Sequence, residues 1–291
     1  MSRSRSHPHT QEEAPGSAGG LFLSPTIAPM AHPADGASSS ALTVRAPQAS
    51  VAPALVLPPA PDAPSLGELF TFMRDAERRF ETLRMRLVER VGSAGGETVM
   101  TYDVWLHHPG RARVVTYSDP DAPAGSGVVW VGDGSTVRTY DGRSHTTTAR
   151  PARPRAMGID DPHLPPFGRA YRPLTQLPAD SMVDTFVHPH GLCRNVLATA
   201  DLTLRGTARL ADREVYVLRA DHPRSTEVLT DRPDRWLELA VDRLSGLVLL
   251  LAEHVGDQLA RHAEVTSLEL DAPISDDAFV LHVSSDVRSI Y

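Results

Sequence analysis

The residues whose types and spacing could do chemistry are two histidine pairs and a single thiol. His188-Pro189-His190 places two imidazoles close together with Cys193 just beyond, a composition that metal sites use. His107-His108 is the other pair, but adjacent side chains on a strand point to opposite faces and cannot share an ion. Loop histidines flanked by proline are the plainer reading of His188 and His190, and no metal or cofactor is expected. Cys193 as a nucleophile would need a base and an orienting group. His190 is within sequence reach, yet Gly191-Leu192-Cys193-Arg194 fits no nucleophile signature, so a buried structural thiol is expected. The acidic pairs Asp160-Asp161 and Asp276-Asp277 offer no more. The second follows Ser275, where carboxylates complement a helix start.

Composition removes further classes. All 29 basic residues are arginine, which excludes Schiff-base and P-loop lysine chemistry. One cysteine excludes internal disulfides and multi-cysteine metal sites. A net charge of −7 with a pI near 6.0 argues against a nucleic-acid coat. Arg150, Arg153 and Arg155 do cluster, but without interleaved aromatics for base stacking they suit a solvated loop or an acidic partner surface. Gly-x-Ser-x-Gly, His-Glu-x-x-His, Gly-x-Gly-x-x-Gly and Walker sequences are all missing from the chain. Catalysis has no support, and the protein is expected not to be an enzyme.

The elements that would position these residues begin late. Residues 1–64 hold 11 of the 25 prolines and only seven charged residues, and are read as a disordered Pro/Ala/Ser-rich region preceding one domain at 65–291. Arg3 and Arg5 are followed by no apolar stretch of signal-peptide length, and Val51 to Leu57 is short and broken by Pro53. With no transmembrane run and no lipobox cysteine, a cytoplasmic location is expected. Ser65-Leu66-Gly67-Glu68 has capping-box form, and Leu66, Leu69, Phe70, Met73, Ala76 and Phe80 recur at helical spacing. That predicts one amphipathic helix over 66–81 with Arg74, Asp75, Arg78 and Arg79 outward.

After Phe80 the period falls to two. Leu83, Met85, Leu87 and Val91 alternate with Thr82, Arg84, Arg86 and Arg90, a second strand is expected with Met100, Tyr102, Val104 and Leu106 on one side, and further strands at 112–117, 127–131, 136–140 and 143–148. Residues 150–180 are proline-rich and aperiodic, a long loop of the kind that is functional or mobile. Short helices at 181–187 and 192–197 precede strands at 202–210, 214–220, 235–242, 246–256 and 259–270. The fold class is α+β: about eleven antiparallel strands, mostly sequential neighbours, behind one N-terminal helix.

Three stretches give that pattern a familiar look. Val129 to Gly142 runs as an apolar strand, an Asp-Gly turn and a strand ending Tyr140-Asp141. Glu214-Val215-Tyr216-Val217-Leu218 follows. The tail then carries Val241-Asp242-Arg243-Leu244-Ser245-Gly246-Leu247-Val248-Leu249, Glu264-Val265-Thr266-Ser267-Leu268 and Pro273-Ile274-Ser275-Asp276-Asp277-Ala278-Phe279. Over about residues 65–283 this resembles the LolA/LolB-like lipoprotein-carrier superfamily. Its members include carriers of lipoprotein acyl chains, actinobacterial lipid-binding lipoproteins and RseB/MucB-type regulators. The resemblance implies a curved, unclosed antiparallel β-barrel with the helix as plug, enclosing an apolar cavity. It implies a non-catalytic protein holding a lipid, an acyl chain or an acylated protein. The alternative is an RseB-type regulatory module that grips a protein partner with the sheet rim or the 150–180 loop. An enzyme using His188, His190 or Cys193 ranks third. If the helix is the plug, Leu69, Phe70, Met73 and Phe80 line the cavity opposite Trp105, Trp130 and Trp236.

Overall fold

Ser65 opens α1 (Leu66–Arg74) with the expected capping box: the Glu68 amide donates to the Ser65 hydroxyl at 3.3 Å, and the Ser65 amide donates to the Glu68 carboxylate at 2.9 Å. The structure, a computed structural model, describes residues 64–93, 96–118, 126–153, 162–165, 169–179, 181–223, 233–284 and 287–290. The expectation of disorder over residues 1–64 lies outside them except at Pro64. Among the described residues no helix is long and apolar enough to cross a membrane.

The helix is shorter than its periodicity suggests. It stops at Arg74, and Ala76–Arg79 continue as a 3-10 turn. Asp75 and Glu77 are the reason: both are buried, at 2% and 1% exposure, so the outward placement of Asp75 is corrected. Arg74 clamps the Asp75 carboxylate through Nε at 3.0 Å and Nη2 at 2.9 Å. The tighter turn swings Glu77 to the inside, where its partners wait.

Among the described residues twelve strands form one sheet that does not close. They are β1 (Thr82–Ser93), β2 (Gly96–His107), β3 (Arg111–Tyr117), β4 (Val128–Asp133), β5 (Thr136–Asp141), β6 (Thr146–Pro151), β7 (Asp201–Leu210), β8 (Arg213–Asp221), β9 (Arg235–Asp242), β10 (Val248–Val255), β11 (Gln258–Leu270) and β12 (Arg288–Ile290). Their order is β12-β6-β5-β4-β3-β2-β1-β11-β10-β9-β8-β7, antiparallel except for the parallel β12–β6 pair. Bulges at Thr266 and Ala260 in β11, Leu249 in β10 and Arg205 in β7 interrupt the ladders and bend the sheet. The sixth strand starts three residues later than expected. The Asp141 carboxylate accepts the Arg143 amide at 2.9 Å and holds Arg143–His145 in a turn.

Between β6 and β7 lie α2 (Met182–Val187), capped by the Ser181 hydroxyl, and α3 (His190–Asn195), which starts two residues before the expected 192. The turn from β9 to β10 presses on α1. Buried Asp242 takes both nitrogens of the Arg213 fork at 2.7 and 3.0 Å and the Ser245 amide at 2.7 Å. At Gly246, with φ of +79°, a Cβ would stand 2.9 Å from the Phe72 carbonyl oxygen, so only glycine lets helix and turn approach this closely.

Alternation in β1 runs as expected: Leu83, Met85 and Leu87 are buried, while Arg84 and Arg86 face out beside Glu269 and Asp103. Further along the inner face the side chains turn polar. Glu89 accepts the Tyr102 hydroxyl at 2.7 Å and pairs with Arg261 at 2.9 Å, and Arg235 pairs with Glu253 at 2.8 Å. Leu87→Asp is expected to cost about 3–5 kcal/mol by burying an unpaired charge. Arg86→Asp should cost about 1 kcal/mol or less, an exposed ion pair being worth little. Equal shifts of the two variants in urea denaturation would contradict this register.

Candidate functional site

The inner face next to α1 is a buried apolar core. Leu69, Phe70, Met73 and Phe80 are buried in one cluster with Leu83, Leu106, Val114 and Trp130. Trp105 and Trp236 are not in it, which corrects their expected placement opposite the helix. In β2 the inward residues are Val104 and Leu106, so Trp105 points out, with the Arg113 guanidinium 6.0 Å from its ring. In β9 the inward residues are Leu237 and Leu239. Trp236 therefore lies outside, stacked on His254 at 3.6 Å between centroids, with Arg219 at 4.1 Å and its Nε1 donating to the Gly256 carbonyl at 3.1 Å.

The buried polar groups form a knot around Glu77. Its carboxylate accepts from the Tyr171 hydroxyl, from the Leu174 amide at 3.0 Å and from His188 Nε2 at 3.1 Å. His188 Nδ1 meets Asp184 at 2.9 Å. Burial alone would push His188 down, but its bonds to Asp184 and Glu77 and their charges outweigh it and lift the imidazole to about 9. Burial would likewise raise Glu77, yet His188, Tyr171 and the Leu174 amide hold it below the usual carboxylate range. The result is a sealed imidazolium between two carboxylates, with no free lone pair for base or metal chemistry.

The other candidate ligands part company with His188. His190 stacks on Tyr171 at 5.1 Å between centroids, and burial, aided by Arg194 and Arg74, pulls it down to about 4. Cys193 points at Met73 Sδ, 3.9 Å away, and burial pushes its thiol up. His108 meets the Thr175 hydroxyl at 2.8 Å and is lowered to about 4, chiefly by burial, while half-buried His107 sits over Phe279 at 6.5 Å. These contacts tie the segment 169–179 down as a strap across the end of the half-barrel.

Beneath that strap lies a cleft of about 260 Å³. Trp130 and Val137 form its floor, Leu177 and Pro178 its strap side, and Arg150 and Arg153 its outer side, with Asp184 at the edge. Gly132 shapes the floor, because a Cβ there would meet the Trp130 ring at 2.8 Å, and its absence lets the indole lie along β4. Gln176 Nε2 donates to the Arg153 carbonyl at 2.6 Å and stitches strap to sheet. Of the seven expected cavity residues only Trp130 lines this cleft. The signals that pointed here were weak: a glutamate four residues after Met73 on the apolar helix face, and apolar Leu177 between strap prolines.

No family model and no curated protein matches the chain. Some solved structures are similar to it at low identity. MucB is 18% identical over 77% of this chain, with a TM-score of 0.46, and the chain spans 64% of MucB's length. LprF from Mycobacterium bovis is 10% identical, covering 74% of this chain and 97% of its own, with a TM-score of 0.39. A LolA superfamily protein from Nitrosomonas europaea is 9% identical, covering 75% and 99%, with a TM-score of 0.30.

The histidines set opposed pH limbs. The raised pKa of His188 gives a stabilisation complete below 6.5 and lost as pH rises through about 9. His108 and His190, lowered to about 4, contribute above 6.5 and lose that contribution as pH falls toward 4. Thermal stability should therefore peak at about pH 6.5, with an alkaline limb of about 1.4 kcal/mol per pH unit. That limb should disappear in His188→Gln while the acid limb remains. An unchanged alkaline limb in the variant would refute the assignment.

Proposed function

We propose that this chain is a non-catalytic binding protein that takes an apolar chain, the acyl chain of a lipid or of an acylated protein, into the cleft under the strap. The observation that carries the reading is the cleft itself: an aromatic and aliphatic floor next to two exposed arginines. Its volume of about 260 Å³ falls just below the roughly 300–1,000 Å³ of drug-sized pockets, which suits a thin chain over a bulky ring system. Each methylene drawn from water into it gains about 0.8 kcal/mol. Arg150 and Arg153 stand where an anionic headgroup would lie. Asp184, the cleft's carboxylate, is held by His188, so the nearest ionisable pair supports the walls, and among the described lining residues none is a nucleophile facing the space. The alternative is a regulatory module, in which a segment of a protein partner fills this cleft.

A fluorescent fatty acid titrated into the native protein should bind with one equivalent, and unlabelled fatty acid should displace it. Val137→Trp should abolish binding by filling the cleft. Arg150→Ala with Arg153→Ala should weaken the fatty acid more than the fatty alcohol of equal length. Met73→Trp, in the filled core, should instead cost about 1–3 kcal/mol of stability by overpacking. Saturable binding that survives Val137→Trp would remove the cleft as the site.

A further inference from the structure

The far edge of the sheet is completed by the chain's own tail. After β11 the chain crosses the outer face, where the 3-10 turn Asp276–Phe279 is held by Arg111 on Asp276 at 2.5 Å and by Arg113 on the Val280 carbonyl at 3.1 Å. It then adds β12 parallel to β6, pairing Arg288 with Thr146 and Ile290 with Thr148, and the Arg288 amide donates to the His145 carbonyl at 3.0 Å. All three β12 residues are exposed, so this contact rests on main-chain bonds with little side-chain burial. A three-residue parallel pair of that kind belongs to the low-stability end of a fold.

The edge it covers is longer than the cover. Among the described residues Ala149 to Pro151 have no strand partner on that side, and Pro151, which lacks an amide, ends the available ladder. The edge is also basic. From Gly142 to Arg153 the sequence carries Arg143, Arg150 and Arg153 and no acidic residue, in a chain of net charge −7. The three threonines of β6 suit a paired strand.

We propose that the β6 edge is a docking site for an extended acidic segment of a partner protein, added as a parallel strand from His145 to Arg150, with β12 as its built-in competitor. The seated tail shows that this edge accepts a strand in that direction, and the arginines select the sign of what replaces it. The proposal concerns this edge and does not depend on the cleft taking an acyl chain.

The test uses the full chain and two fluorophore-labelled hexapeptides, one alternating glutamate and valine, the other lysine and valine. Arg288→Pro removes the amide bonded to His145, and Ile290→Pro, which keeps every charge, removes the next donor on that side. Each variant should bind the glutamate peptide about tenfold more tightly than the native chain if the tail occupies the edge nine-tenths of the time. Arg150→Glu in the Ile290→Pro background should reverse that gain, and β6 amides should exchange faster in both proline variants. The lysine peptide should bind none of them. Equal binding of the two peptides, or no gain in either proline variant, overturns the proposal. So does a dimer in light scattering with the tail of one copy on β6 of another, because the edge would then serve self-association.

Discussion

A carboxylate sealed from water must be satisfied from within, and Glu77 imposes that requirement on everything that fills the half-barrel. Its partners come from two places, the strap through Tyr171 and Leu174 and the end of α2 through His188, which Asp184 holds from behind. Removing any one would leave charge buried without compensation, so the groups hold as a unit. The helix gives up regular geometry at Asp75 to aim Glu77 inward. A segment rich in proline, with no periodicity to anchor it, is fixed by polar contacts where apolar ones are few. The cleft follows from this, since its strap side is set by a carboxylate on the far side of α2.

The inner face is thereby divided. Where the helices lie, it is apolar and close-packed, as Leu69, Met73, Leu83 and Leu106 show with exposures of 0%. Further along β1, β2 and β11 it is charged, with Glu89, Tyr102 and Arg261 bonded to one another across strands. The cleft opens at the side instead, between β4, β5, β6 and the strap. This open space thus comes from a loop crossing a sheet.

Most of the sheet was legible because its signal is local. Leu83, Met85 and Leu87 alternate with arginines, and Asp133 and Asp141 mark turns whose amides they accept. The helix start was legible for the same reason, Ser65 and Glu68 being three residues apart. What escaped depended on partners far away in sequence. Nothing near Glu77 shows that Tyr171 and His188 will meet it, so the apolar period was read straight through to Phe80. Trp105 and Trp236 were grouped by residue type, although parity with Leu106 and Leu237 already sends them to the outer face. Three exposed residues of β12 carry no period at all. Of the site, Trp130 and the importance of the 150–180 region were within reach, while Val137 and Asp184 needed the fold.

The strand order carries a consequence for biosynthesis. β1 lies in the middle of the sheet, with β2 on one side and β11 on the other, and Leu83 is paired with Leu270. While the chain is being made, β1 can zip to β2 at once, but its other edge stays bare until β11 leaves the ribosome. At about 5–20 residues per second that wait is roughly 10–40 s. Leu83, Met85 and Leu87 are exposed to the crowd of the nascent-chain environment throughout, and Arg84 and Arg86 between them, with Arg90 beyond, are the charges that keep such an edge from pairing with a stranger. The arginine alternation that marks the strand so plainly in the sequence thus also serves as the guard of a half-made sheet.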